Sequence, residues 1–214
     1  MFIFYMTLKR RLIQWGQDSV VTLSQIMLYV TTVVFIRLMI RANRRLPTNK
    51  RDVRRGILLA ANHRSRMDPF VVVMHLPVTM FLRILPIRFP VHHEFMQRKR
   101  FRYILFFLGC YNIGNTPREK MLGMLRTKEY LDQRRTVFLF PEGKINRENI
   151  GDFQQGIEFF VEGGQRVVLI RIDGLERSLG ALFRRGNKIF FSHIFSTQDE
   201  KRKSSALRAL IEAS

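Results

Sequence analysis

Ile57-Leu58-Leu59-Ala60-Ala61-Asn62-His63-Arg64-Ser65-Arg66-Met67-Asp68-Pro69 runs from an unbroken apolar pentapeptide into a polar loop that closes on an aspartate and a proline. Consecutive apolar residues bounded by polar ones read as a buried strand, the kind found inside a parallel sheet. Asp68-Pro69 reads as a helix start, because aspartate is a good N-cap and the first helical position does not need the N–H that proline lacks. His63 then stands at the end of a strand and Asp68 at the end of the loop that follows. A turn of this length returns the carboxylate to the imidazole. A carboxylate there fixes the ring tautomer and stabilises the imidazolium, leaving the other ring nitrogen to take a proton. His63 and Asp68 are therefore the candidate catalytic pair of an enzyme that deprotonates a hydroxyl.

The chain on either side supplies short apolar runs alternating with helical patterns. Strands are expected over residues 57–62, 78–82, 110–113, 136–140, 166–172 and 188–195. Helices are expected over 69–75, 94–108, 117–134, 153–161 and 199–213, with Pro117 opening one and Gly109 and Gly163-Gly164 closing two others. The alternation implies an α/β fold, a single domain with a mixed, mostly buried sheet flanked by helices. That domain is expected over 57–214, after a basic linker at 47–56 that Pro47 opens. Residues 1–46 form a helical segment of different character.

In this first segment no charged residue occurs from Ser19 to Ile36, an interval of 18 residues close to the length of a spanning helix. Thr22, Ser24, Gln25, Thr31 and Thr32 dilute it, and Arg37 and Arg41 end it. A signal peptide fits poorly, since the run lacks a small-residue cleavage site. A transmembrane anchor remains open. A helix lying in the interface fits the mixed polarity and basic flanks better. The protein is thus expected at a membrane, monotopic or single-pass at the cytoplasmic face.

Charge points the same way. Lys and Arg number 37 against 17 Asp and Glu, a formal net charge of +20 over 214 residues. Such an excess implies an anionic partner, nucleic acid or an anionic membrane surface. The basic clusters lie beside large apolar residues, as in Arg98-Lys99-Arg100-Phe101-Arg102-Tyr103, which favours anionic lipid. No zinc-finger spacing or ribonucleoprotein aromatic block supports nucleic acid. The one cysteine, Cys110, reads as a small core residue, and no metal site is expected.

A second constellation follows a second apolar run. Phe140-Pro141-Glu142-Gly143-Lys144 places a glutamate between proline and glycine at the end of a strand, where a tight turn exposes backbone N–H groups. His63 and Asp68 with four residues between them, followed at this distance by Phe140-Pro141-Glu142-Gly143, resemble the first and third blocks of the glycerolipid acyltransferase family that contains lysophosphatidic acid acyltransferases. The resemblance covers about residues 57–172. Gly109-Cys110-Tyr111-Asn112-Ile113 and Arg166-Val167-Val168-Leu169-Ile170 stand where its second and fourth blocks fall.

The resemblance implies a membrane-bound O-acyltransferase. It would move a fatty acyl chain from acyl-CoA or acyl carrier protein, substrates rather than bound cofactors, to the hydroxyl of a lysoglycerophospholipid. His63 would be the general base, oriented by Asp68. Phe140, Pro141, Glu142, Gly143, Lys144 and Asn115 would meet the acceptor, with Glu142 matching a glutamate associated with acceptor binding. Three departures from the pattern stand out. Asn115 stands where an arginine is usual, Lys144-Ile145-Asn146 replaces Thr-Arg-Ser, and Leu169 or Ile170 stands where the fourth block usually carries a proline. The run from Phe140 to Asn146 is closer to tafazzin-like members, which exchange acyl chains between phospholipids without coenzyme A. That transacylation is the alternative reading, with a basic nucleic-acid-binding protein and an inactive lipid-binding relative as weaker ones.

Overall fold

The run Ile57–Ala61 forms strand β2, and all five of its residues are buried. In the computed structural model of the chain, β2 pairs in parallel with β5 (Thr136–Leu139) on one side and β6 (Arg166–Asp173) on the other. Beyond β5, strands β3 (Ile87–Val91) and β4 (Cys110–Asn112) continue the parallel set. β7 (Asn187–Phe195) runs antiparallel to β6, and β1 (Ala42–Arg45) pairs with β7, giving the order β1-β7-β6-β2-β5-β3-β4. This is the expected α/β domain with a mixed sheet. The structure describes residues 2–40, 42–45, 55–154, 156–162, 165–175 and 187–195. The helix expected over 199–213 and most of the linker expected over 47–56 lie outside them.

Alternation along β2 builds two cores. Ile57, Leu59 and Ala61 face one layer, with α1 (Phe2–Met39), α2 (Asp68–His75) and α3 (Val78–Ile84). Leu58 and Ala60 face the other, which includes Leu131 of α6 (Pro117–Asp132) and Ile157 and Phe160 of α7 (Gly156–Glu162). A strand covered on both faces has no polar side to show, which is why its sequence is continuously apolar.

One flank of α1 belongs to the domain. Gln25 donates from Nε2 to the carbonyls of Ile87 and Leu108 and accepts from the Ile87 N–H through Oε1. Tyr29 stacks on Phe81 and donates to the Leu76 carbonyl, and Arg37 donates to the Met74 and Leu76 carbonyls. Near the other end of this contact, Asp18 binds both Arg88 and Arg135. The rest of its surface is apolar and open, with Trp15, Leu23, Met27, Val30 and Val34 each more than three-fifths exposed.

Several elements differ from the sequence expectation. Residues 78–82, expected as a strand, belong to helix α3: Met80, Phe81 and Ile84 are buried while Val78 and Leu82 are exposed, a helical period. The strand is instead β3, where Pro90 argues against a strand in sequence. Its neighbours Phe89 and Val91 bond toward β4, so the Pro90 nitrogen faces the side where pairing with β5 has ended at Arg88. The expected helix over 94–108 is two helices, α4 (His93–Gln97) and α5 (Lys99–Phe107), separated by Arg98 in extended conformation. α7 starts three residues later than expected, at Gly156. Residues 42–45, placed in a helical segment, form the edge strand β1.

Candidate active site

Asp68 is fully buried and is the first residue of α2 rather than its cap. Its carboxylate turns back over the loop. Oδ2 accepts from the backbone N–H groups of Arg64 at 2.6 Å and Ser65 at 2.8 Å, and Oδ1 accepts from the Ser65 hydroxyl at 2.9 Å. Oδ2 also lies 2.8 Å from His63 Nδ1. A carboxylate only accepts, so Nδ1 of the neutral imidazole carries the proton and Nε2 keeps its lone pair. The histidine side chain is about one-fifth exposed (19%), enough for Nε2 to meet a ligand from the surface. The ring stacks on Phe140, centroids 3.9 Å apart, and Phe140 packs in turn on Phe138 of β5. Two adjacent strand ends thus present the parts, β2 the imidazole and β5 the aromatic platform, at the carboxyl edge of the parallel sheet where open α/β sheets bind ligands.

The Phe140–Gly143 turn meets the histidine loop through Glu142. Its carboxylate is buried, and Oε1 accepts the His63 backbone N–H at 2.9 Å. Oε2 accepts the Gly151 N–H at 2.9 Å and a bond from the Asn146 amide. The His63 carbonyl is held as well, by the Asn146 N–H at 2.8 Å. Gly143 has φ of 66°, a left-handed conformation that favours glycine in this turn. Lys144 is exposed on the same loop. Asn115 is exposed in the segment before α6, where its N–H donates to Glu119; its recorded bond does not reach the His63 loop.

Other residues of the site carried no signal in the sequence beyond their polarity. The Asn62 side chain donates to the Ile172 carbonyl and accepts the Ile172 N–H, tying the end of β2 to β6. Arg64 is buried and donates to the carbonyls of Asn146 and Arg147. The N–H groups of Arg64, Ser65, Met67 and Gly143 all have internal acceptors. These four N–H groups are thus already engaged within the protein.

The chain belongs to the Acyltransferase family, whose model matches residues 37–172, from the end of α1 to β6. Among solved structures it is similar to the 1-acyl-sn-glycerophosphate (LPA) acyltransferase PlsC from Thermotoga maritima. The TM-score is 0.57 at 16% identity, over 98% of this chain and 89% of that one. At that identity the likeness establishes the fold. A search among curated proteins finds no match to the chain.

Proposed function

We propose that the protein is a membrane-bound O-acyltransferase that esterifies the free hydroxyl of a lysoglycerophospholipid, a 1-acylglycerol-3-phosphate-like acceptor, with a fatty acyl chain from acyl-CoA or acyl carrier protein. The observation that carries this is the His63 Nδ1–Asp68 Oδ2 contact with Nε2 left to face a ligand. Nε2 takes the hydroxyl proton as the oxygen attacks the thioester carbonyl. The tetrahedral intermediate collapses, the carbon–sulfur bond breaks, and the imidazolium returns the proton to the leaving thiolate. Buried Asp68 stabilises the imidazolium between these steps. Lys144 supplies positive charge for the acceptor phosphate, Asn115 is a further acceptor-side position, and Glu142 serves the acceptor side indirectly by holding the His63 loop.

The test is transfer of labelled acyl chain from acyl-CoA to lysophosphatidic acid by purified protein in mixed micelles. The proposal expects product from wild type and a loss of at least about a hundredfold for His63→Ala. Unchanged turnover in that variant overturns it. The tafazzin-like alternative rests on Lys144-Ile145-Asn146 in place of Thr-Arg-Ser. Transfer from labelled phospholipid only, with none from the thioester, selects it.

Membrane association is proposed as monotopic. The Leu12–Met39 stretch is long and apolar enough to cross a bilayer. The domain, however, packs against α1 from Asp18 to Ile40, and Val21, Gln25 and Tyr29 are buried there. A helix bound sideways for that distance offers lipid only its outer face, which suits insertion into one leaflet.

A further inference from the structure

At the end of the sheet opposite His63, a groove of about 1110 Å³ runs between α1 and the segments that lead into β2, β3, β5 and β6. One wall is α1, with Trp15, Thr22, Leu23 and Ile26. The other carries Arg55, Arg83, Arg134, Arg135 and Arg166. Among the described residues the lining holds one carboxylate, Asp18, which is already bound by Arg88 and Arg135. Arg55 and Arg134 are exposed at the lip, as is Trp15. The length of β2, about 17 Å for five residues, separates this groove from the His63 loop.

We propose that this groove is a binding site for one anionic phospholipid, separate from the catalytic pair. Its phosphate would lie on Arg55 and Arg134 at the exposed lip of the arginine wall and its acyl chains along the exposed side of α1. The two walls have the two chemistries of that ligand: a concentration of guanidinium groups, which suit phosphate oxygens, beside an apolar helix face. A zwitterionic lipid would bring its own cation to the same arginines and lose the advantage. The groove therefore discriminates by headgroup charge, which a general basic surface does less sharply. The proposal rests on the membrane association inferred above and not on the acyl-transfer chemistry.

Trp15, the single tryptophan of the chain, stands on the groove wall and reports occupancy. Full-length protein is placed in phosphatidylcholine nanodiscs containing a few mole per cent of either brominated phosphatidylglycerol or brominated phosphatidylcholine, and Trp15 quenching is measured. The proposal expects about twofold or more greater quenching by the brominated phosphatidylglycerol. The preference should vanish in Arg55→Gln/Arg134→Asn, in which asparagine suits the positive φ of 59° at residue 134. It should persist in Arg98→Gln/Arg100→Gln, a pair of equal charge change outside the groove. Equal quenching in wild type, or loss of preference in both double variants, overturns the site while leaving membrane association standing. No quenching by either lipid overturns both. Acyl transfer in zwitterionic micelles reports the catalytic proposal separately.

Discussion

At the scale of single residues, the site is organised by two buried carboxylates that do different work. Asp68 gathers the Arg64 and Ser65 amides and the His63 imidazole on one oxygen. Asp68→Asn keeps the volume but removes the charge that would support the imidazolium in the proposed reaction. It is expected to lower kcat by roughly 10² to 10⁴ with little change in KM, read by steady-state kinetics. Glu142 bonds the His63 backbone and the Gly151 backbone, so its effect on chemistry runs through position. Glu142→Ala is expected to lower kcat about tenfold or more and to leave the acceptor KM within about threefold. A rise in KM alone would return Glu142 to direct acceptor contact. The His63–Asp68 meeting was legible in sequence because both ends of a short loop were marked, one by an apolar run and one by Asp-Pro. Glu142's partners were not legible, since a backbone N–H 79 positions away leaves no trace in residue type. Cys110 shows how burial acts on a bystander. Desolvation pushes its thiol up to about 12, with Arg88 pulling weakly back. The folded thiol should therefore react with a disulfide reagent at pH 8 roughly 10³-fold more slowly than in guanidinium. An unfolded thiol ionises from about pH 9 while the folded one keeps its proton to about 12, so this group's contribution to stability is lost as pH climbs between them.

At the scale of elements, the joint between α1 and the sheet depends on one amide. Gln25 satisfies the Ile87 N–H and carbonyl and the Leu108 carbonyl, all from a side chain that is almost wholly buried. Replacing it with leucine keeps most of the volume and strands those groups without water. Gln25→Leu is expected to destabilise the fold by about 3 kcal/mol, measured by denaturant titration in detergent. Gln25→Glu would not test the same thing, because it also buries a charge. A milder case is the start of α6. Thr116 accepts from the Glu119 N–H and Glu119 returns to the Thr116 N–H, so Thr116→Ala should cost about 1 kcal/mol. The Thr116–Glu119 cap emerges from the structure, whereas the start of this helix was readable from Pro117. The α3 region was not. Val78-Thr79-Met80-Phe81-Leu82 has strand-like composition, and only the layer beneath it, which buries Met80, Phe81 and Ile84, selects a helix. Tertiary burial overrode local preference there. The same holds for β3, where the position of Pro90 relative to the end of β5 decides what composition cannot.

At the scale of the whole molecule, charge and apolar surface act over different ranges, and salt separates them. On the membrane reading proposed above, the net charge of +20 would draw the chain toward anionic lipid over about a Debye length, roughly 8 Å at physiological ionic strength. The outer face of α1 acts only on contact. Near it α5, which touches α1, exposes Phe101, Ile104 and Phe107 among basic residues. Composition suggested this surface but could not orient it, because α1 carries apolar residues on its packed flank too. Only the bonds of Gln25, Tyr29 and Arg37 show which side is committed to the domain. Sedimentation with phosphatidylglycerol-containing vesicles should therefore show binding that weakens several-fold as salt rises from low to about 0.5 M and then levels off above zero, since apolar burial is not screened. Met27→Glu/Val30→Glu places two charges on the outer face, away from Gln25 and from the groove. It should remove the salt-resistant remainder while leaving the low-salt attraction largely in place. Complete release of the wild type by salt would mean that α1 does not enter the bilayer, and that its open face is covered by protein instead.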